Sequence, residues 1–130
     1  MQLNVTTDYA IRIVLYLAIK QRVVNSNEIA NAMGIPPTYI MKITRTLKNA
    51  GILSERRGVG GGFVLSKAPE QLTLLDIVDA LEKTVNINRC LEEDEYCSRN
   101  AAAFCTVRKL LVCLQAELAE GLNVKISELI

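Results

Sequence analysis

The sequence predicts a mainly α-helical fold that carries one small β-hairpin. Apolar residues recur at helical spacing in five separate stretches, and glycine or proline punctuates their ends. Only residues 52–66 offer short β-capable runs, and these surround a glycine-rich tip. Half of the 130 residues are hydrophobic, which suits one compact domain with an appended element and excludes a disordered chain.

The first helix runs from about Thr7 to Lys20, with Ile11, Val14, Leu15, Leu17, Ala18 and Ile19 giving a wide buried face. Asn25 followed by Glu28 forms a capping-box signature for a short helix bearing Ile29, Ala30 and Met33. Gly34 ends it where a left-handed cap is usual. Pro37 opens the next helix, since its missing N–H costs nothing in the first turn. Ile40, Ile43 and Leu47 keep helical spacing up to Gly51. Two short helices joined by a tight glycine-containing turn form a helix-turn-helix signature.

The runs 52–56 and 63–66 then read as a hairpin across the tip 57–62, and a hairpin placed directly after a helix-turn-helix is a wing. Thr73 and Asp76 form a capping box that opens a helix from Leu74 to about Lys83. Residues 85–100 lack periodicity, are acidic at Glu92, Glu93, Asp94 and Glu95, and hold Cys90 and Cys97; they read as a loop. From about Ala102 to Glu120, Val107, Leu111, Leu114, Leu118 and Leu122 fall in near-heptad steps. With Leu110 and Cys113 that helix is too apolar for water. Pairing with a second subunit is expected, and packing back on its own domain is the alternative. The expected organisation is therefore a winged helix-turn-helix DNA-binding domain over 1–84, a cysteine-containing sensor loop over 85–105, and a dimerisation helix with a C-terminal tail over 106–130.

No apolar run approaches the roughly 20 residues that span a bilayer, and the stretch Ile13 to Ile19 lacks the basic flank of a signal peptide. A cytoplasmic protein without membrane contact is expected, with its four cysteines present as thiols or metal ligands before disulfides. Residues 1–67 contain nine basic and three acidic residues, a net of +6; residues 68–130 contain six and eleven, a net of −5. Only the first half suits a polyanion. The exposed face of the second helix of the motif offers Thr38, Tyr39, Lys42, Arg45 and Lys48, with Arg and Lys suited to phosphates or guanine edges. Ser26 and Asn27 open the preceding helix, where free N–H groups favour phosphate. In the wing, Arg56 and Arg57 stand beside Gly60 and Gly61, so the backbone can approach a phosphate wall while an arginine enters the minor groove.

Several of these segments resemble the IscR/NsrR/RirA/CymR family of winged-helix transcription regulators over nearly the whole chain. They are Thr7-Asp8-Tyr9-Ala10, the run from Ala50-Gly51-Ile52 to Gly60-Gly61-Gly62-Phe63, and Leu72-Thr73-Leu74-Leu75-Asp76-Ile77. The resemblance implies a homodimer on a two-fold operator, base contacts near Thr38, Tyr39 and Lys42, and a minor-groove contact from Arg57. In many branches it also implies a cysteine-ligated iron–sulfur cluster, [4Fe-4S] or [2Fe-2S]. Met41 stands where the cluster-assembly regulators carry an acidic residue, so their operator sequence does not transfer.

Cys90, Cys97 and Cys105 are separated by six and seven intervening residues, intervals that do not suit a zinc knuckle, whereas three thiolates from one loop suit an iron–sulfur core. The resemblance includes a similar, slightly tighter trio. No histidine exists to act as fourth ligand. Cys113 lies about 12 Å along a helix from Cys105 and reads better as a small apolar residue. Asp8 resembles the carboxylate that the nitric-oxide-sensing branch supplies from the other subunit; its plainer role is to favour the helix macrodipole. The function expected is a redox-, nitric-oxide- or iron-responsive regulator acting as a repressor. A cluster-free thiol- or partner-responsive regulator of the same fold, a redox enzyme and a cluster carrier are alternatives. The absence of CxxC, histidine and a nucleotide loop argues against the enzyme.

Overall fold

The computed structural model describes residues 1–130. Helix α1 (Val5–Lys20) starts where the Asn4 side chain accepts the Thr6 N–H at 3.0 Å, and it ends at Gln21 in the left-handed conformation. Its inner face, Thr7, Ala10, Ile13, Val14, Leu17 and Ala18, is fully buried. Helix α2 (Ser26–Met33) stops at Gly34 with φ 63°, and α3 (Pro37–Asn49) follows after Pro36. Ile40, Ile43, Thr44 and Leu47 turn the inner side of α3 into the core, so its polar residues face outward.

Strands β1 (Leu53–Arg56) and β2 (Gly62–Leu65) pair antiparallel, from Leu53 opposite Leu65 to Arg56 opposite Gly62. Val24, just before α2, exchanges both backbone hydrogen bonds with Phe63, at 2.9 and 2.8 Å. The wing is thereby stitched to the helix-turn-helix. A Cβ at Gly62 would overlap the Val24 carbonyl, so this close approach requires glycine.

Helix α4 (Leu74–Leu81) carries the complete capping box expected of Thr73 and Asp76. The Asn25–Glu28 box is only half formed. Asn25 caps the Glu28 N–H at 2.9 Å, but the Glu28 carboxylate goes to Arg22 and the Tyr16 hydroxyl. A guanidinium offers two charge-assisted hydrogen bonds, which outcompete one backbone N–H.

Helix α5 (Thr106–Leu122) begins four residues later than its apolar pattern suggests, because Cys105 caps it by accepting the Arg108 N–H. The tail after α5 turns back. Lys125 bridges Thr73, Ile126 donates to the Leu72 carbonyl at 2.8 Å, and the Ile126 side chain is fully buried in the core.

No residue of α5 is buried. Val107, Leu110, Leu114 and Leu118 are 62, 59, 42 and 39% exposed, and their steps of three, four and four place them on one stripe. Of the other apolar residues of the helix, Leu111 lines the cysteine cavity beside Val107, and Leu122 lines an apolar groove with Leu118, Leu3 and Val78. Cys113 is exposed, so within one chain it is no core residue. No helix is long and apolar enough to cross a membrane.

Candidate nucleic-acid interface and cysteine pocket

Core packing of α3 on one side leaves Thr38, Lys42, Arg45 and Lys48 exposed on the other. Tyr39 is half-buried, its ring edge-on to Tyr9 of α1 at a centroid distance of 5.2 Å. This edge-on pairing joins α3 to α1 and is worth about 0.5–1.5 kcal/mol. Ser26 is half-buried and Asn27 exposed at the first turn of α2.

Arg56 and Arg57 are exposed at the end of β1, and neither makes an ion pair. Gly58 and Gly60 hold φ values of 91° and 75°, which side chains rarely adopt. The Gly61 N–H closes the tip onto the Gly58 carbonyl at 3.0 Å. Lys48 reaches Glu55 at 3.5 Å and ties α3 to the wing. Between them lies a cavity of about 260 Å³ lined by Arg45, Lys48, Arg57 and the exposed thioether of Met41. Glu55 lines the same recess and pairs with Lys48, so three cations and one carboxylate give it a net positive charge beside α3. Sequence reasoning missed Met41 as part of this recess, and it missed the wholly exposed Val59 at the wing tip.

The segment 85–105 is a loop, as its lack of periodicity predicts, and side-chain bonds pin it. A 3-10 turn spans Arg89–Leu91. Arg89 holds Asp94 through two 2.6 Å bonds and lies over the Tyr96 ring. The guanidinium holds the Asp94 carboxyl down at about 2. Arg108 of α5 donates to the Cys90 carbonyl at 3.1 Å and pairs with Glu95. Gln115 fastens the other end of the segment through the Ile87 N–H and the Val85 carbonyl.

These ties bring Cys90, Cys97 and Cys105 around one cavity of about 280 Å³. Each sulfur meets N–H donors: Asn88 for Cys90 at 3.2 Å, the Arg108 backbone for Cys105 at 3.4 Å, and the Ala101 and Arg99 backbones for Cys97. Those backbone donors, Ala101 first, pull the Cys97 thiol below its ordinary value. Donors aimed at sulfur favour thiolate, the form that binds metal. No three Cys, Asp or Glu side chains lie close enough to share one metal ion.

No carboxylate lines this cavity. Asp8 lies on α1, 2.6 Å from Arg12. Arg12 also donates to the Met33 carbonyl at 3.2 Å and stands 5.3 Å over the Tyr9 ring. Arg12 escaped sequence reasoning, although its position four residues after Asp8 was a readable signal.

A core-backed helix-turn-helix with a wing stitched to it and cations on its outer face defines a winged-helix DNA-binding regulator. Residues 3–130 match the Rrf2 family, described as "Iron-dependent Transcriptional regulator", and the chain belongs to that family. Its members are transcription regulators and not enzymes. The chain is 32% identical over 100 residues to the HTH-type transcriptional regulator NsrR of Bacillus licheniformis, covering 75% of this chain and 70% of that one. It is also 32% identical over 110 residues to protein aau3 of Rhizobium meliloti, covering 78% and 71%. Among solved structures it is similar to CymR, the global cysteine regulator of B. subtilis, at TM-score 0.81 and 25% identity, covering 99% of this chain and 95% of that one. T. potens IscR aligns at TM-score 0.79 and 18% identity, covering 99% and 85%, and shows the shared fold.

Proposed function

We propose that the chain is a cytoplasmic, homodimeric repressor whose grip on a two-fold operator is governed by an iron–sulfur cluster. Cys90, Cys97 and Cys105 would hold the cluster, with Asp8 of the partner subunit as the fourth ligand. The observation that carries this is the cavity lined by three sulfurs, each with N–H donors. The donor set fits: soft thiolates match iron–sulfur cores, and hydrogen bonds to sulfur tune them. The cluster would supply redox- and nitric-oxide-sensitive iron.

The chain's own residues supply the coupling. Arg12 joins Asp8 to the Met33 carbonyl in the helix-turn-helix turn and to Tyr9, which packs on Tyr39 of α3. Withdrawing the Asp8 carboxylate frees a guanidinium that also fixes the approach of α1 to α3. The exposed stripe of α5 supports dimerisation, which sets the separation of the two recognition helices. Half-sites one turn apart require about 34 Å between them.

Anaerobic purification followed by visible absorption and operator binding tests the proposal. Wild type is expected to absorb near 400 nm or above, Cys97→Ser to lose that absorption, and holo and apo protein to differ in DNA affinity. A colourless wild type, or equal affinity of the two forms, refutes it. A colourless protein favours a second reading supported by the lowered Cys97 thiol: a cluster-free regulator that responds to oxidants through cysteine.

A further inference from the structure

Helix α3 has two flanks, and each borders a cationic cavity. On the wing side stand Arg45, Lys48 and Arg57. On the opposite side a cavity of about 380 Å³ is framed by Lys42 and Thr46 of α3, Asn4 and Thr6 at the start of α1, and Lys83 just past α4. Its one acid, Glu82, is already engaged: Oε1 accepts the Asn4 N–H at 2.9 Å and the Thr7 hydroxyl at 2.8 Å. Lys42 and Lys83 are exposed and make no ion pair. The cavity therefore holds two ammonium groups without ion-pair partners and one carboxylate whose Oε1 is turned to the start of α1, a net charge of one positive.

We propose that this cavity seats a backbone phosphate of the DNA strand that faces the wing-bound strand across the major groove, with Lys83 and Lys42 as its cations. The inference rests on the winged-helix reading of DNA binding and adds a second wall to it. A helix with its side chains is about 10–12 Å across, and the major groove is about 12 Å wide. A helix seated there meets a phosphate wall on each flank. The wing reaches one wall. Lys42 belongs both to the outward face of α3 and to the opposite cavity, so that cavity continues the base-reading surface towards the other wall. Lys83 thus joins the interface from the acidic half of the chain.

Salt dependence of binding tests this without knowledge of the operator. Each phosphate neutralised by a cation contributes about −0.9 to the slope of log K against log salt. Fluorescence anisotropy of the full chain on a labelled random-sequence duplex would be measured from low to moderate salt. Lys83→Gln is expected to weaken binding several-fold at low salt and to shallow the slope by about 1 for each engaged subunit. Lys83→Arg should restore it. Lys125→Gln makes the same charge change beside Thr73, at the other end of α4, and should leave the slope unaltered. Lys83 is exposed, and unchanged thermal melts would exclude misfolding. A Lys83→Gln slope equal to wild type overturns the proposal, as does a Lys125→Gln effect of the same size. Arg57→Gln separates the two failures. If its slope falls while that of Lys83→Gln does not, only the second wall is wrong. If wild type binds with no salt dependence, the DNA-binding reading falls with it.

Discussion

If the exposed stripe of α5 forms the proposed subunit interface, truncating Leu110 to alanine should weaken the dimer while leaving the monomer folded. In the single chain 59% of Leu110 faces solvent, on the stripe it shares with Val107, Leu114 and Leu118. Complete burial of a leucine side chain is worth about 1.5–3 kcal/mol, so covering the open fraction contributes about 1–2 kcal/mol. A two-fold interface uses the residue twice, giving about 2–4 kcal/mol per dimer. At about 1.4 kcal/mol per decade that is roughly two orders of magnitude in the dimer dissociation constant. Sedimentation velocity across a micromolar dilution series reads it directly, and thermal melts of the dilute monomer should barely change. An unchanged dissociation constant for Leu110→Ala would refute the assignment of this stripe to the subunit interface. So would a wild type that sediments as a monomer throughout.

The wing offers a paired test. Gly62→Ala should cost on the order of 2–4 kcal/mol, because the added carbon meets the Val24 carbonyl while the Val24–Phe63 bridge prevents retreat. Gly121→Ala, with nothing within 4 Å on a helix, should stabilise by about 0.5–1 kcal/mol; calorimetric melts showing both variants shifted alike would contradict the packing account. Glu28 gives a pH test. Hydrogen bonds from Arg22 and then Tyr16 hold its carboxyl below the ordinary value, so its contribution is present above the usual carboxylate range and is lost as pH falls through the lowered value. The melting-temperature gap between wild type and Glu28→Gln should therefore shrink on acidification, and a gap constant from pH 7 to pH 3 would disprove the role of this network.

Elements with a local cause were legible in the sequence. The helix-turn-helix follows from Gly34 and Pro37 framing apolar residues at helical spacing, and the Thr73–Asp76 box appears as its spacing predicts. Legibility failed where a distant partner competed. Glu28 left its capping box for Arg22 and the Tyr16 hydroxyl. Lys83 could not be placed beside α3 from an amino-acid count, because only the packing of α4 on α1 and α3 brings it there. The three cysteines were singled out by spacing, but their gathering around one cavity depends on Arg89, Arg108 and Gln115, whose partners lie up to 30 residues away.

The return of the tail makes α5 a strut and not a lever hinged at one end. Its mid-point is bolted to the cysteine segment by Gln115, and just past its far end Ile126 is sunk in the same core that backs α3. A strut fixed in two places cannot swing alone. In the proposed dimer, a shift imposed where two such struts meet would carry each winged-helix unit with it. On that proposal, a small displacement at the subunit contact would become a change in the pitch and spacing at which the two recognition helices meet the duplex.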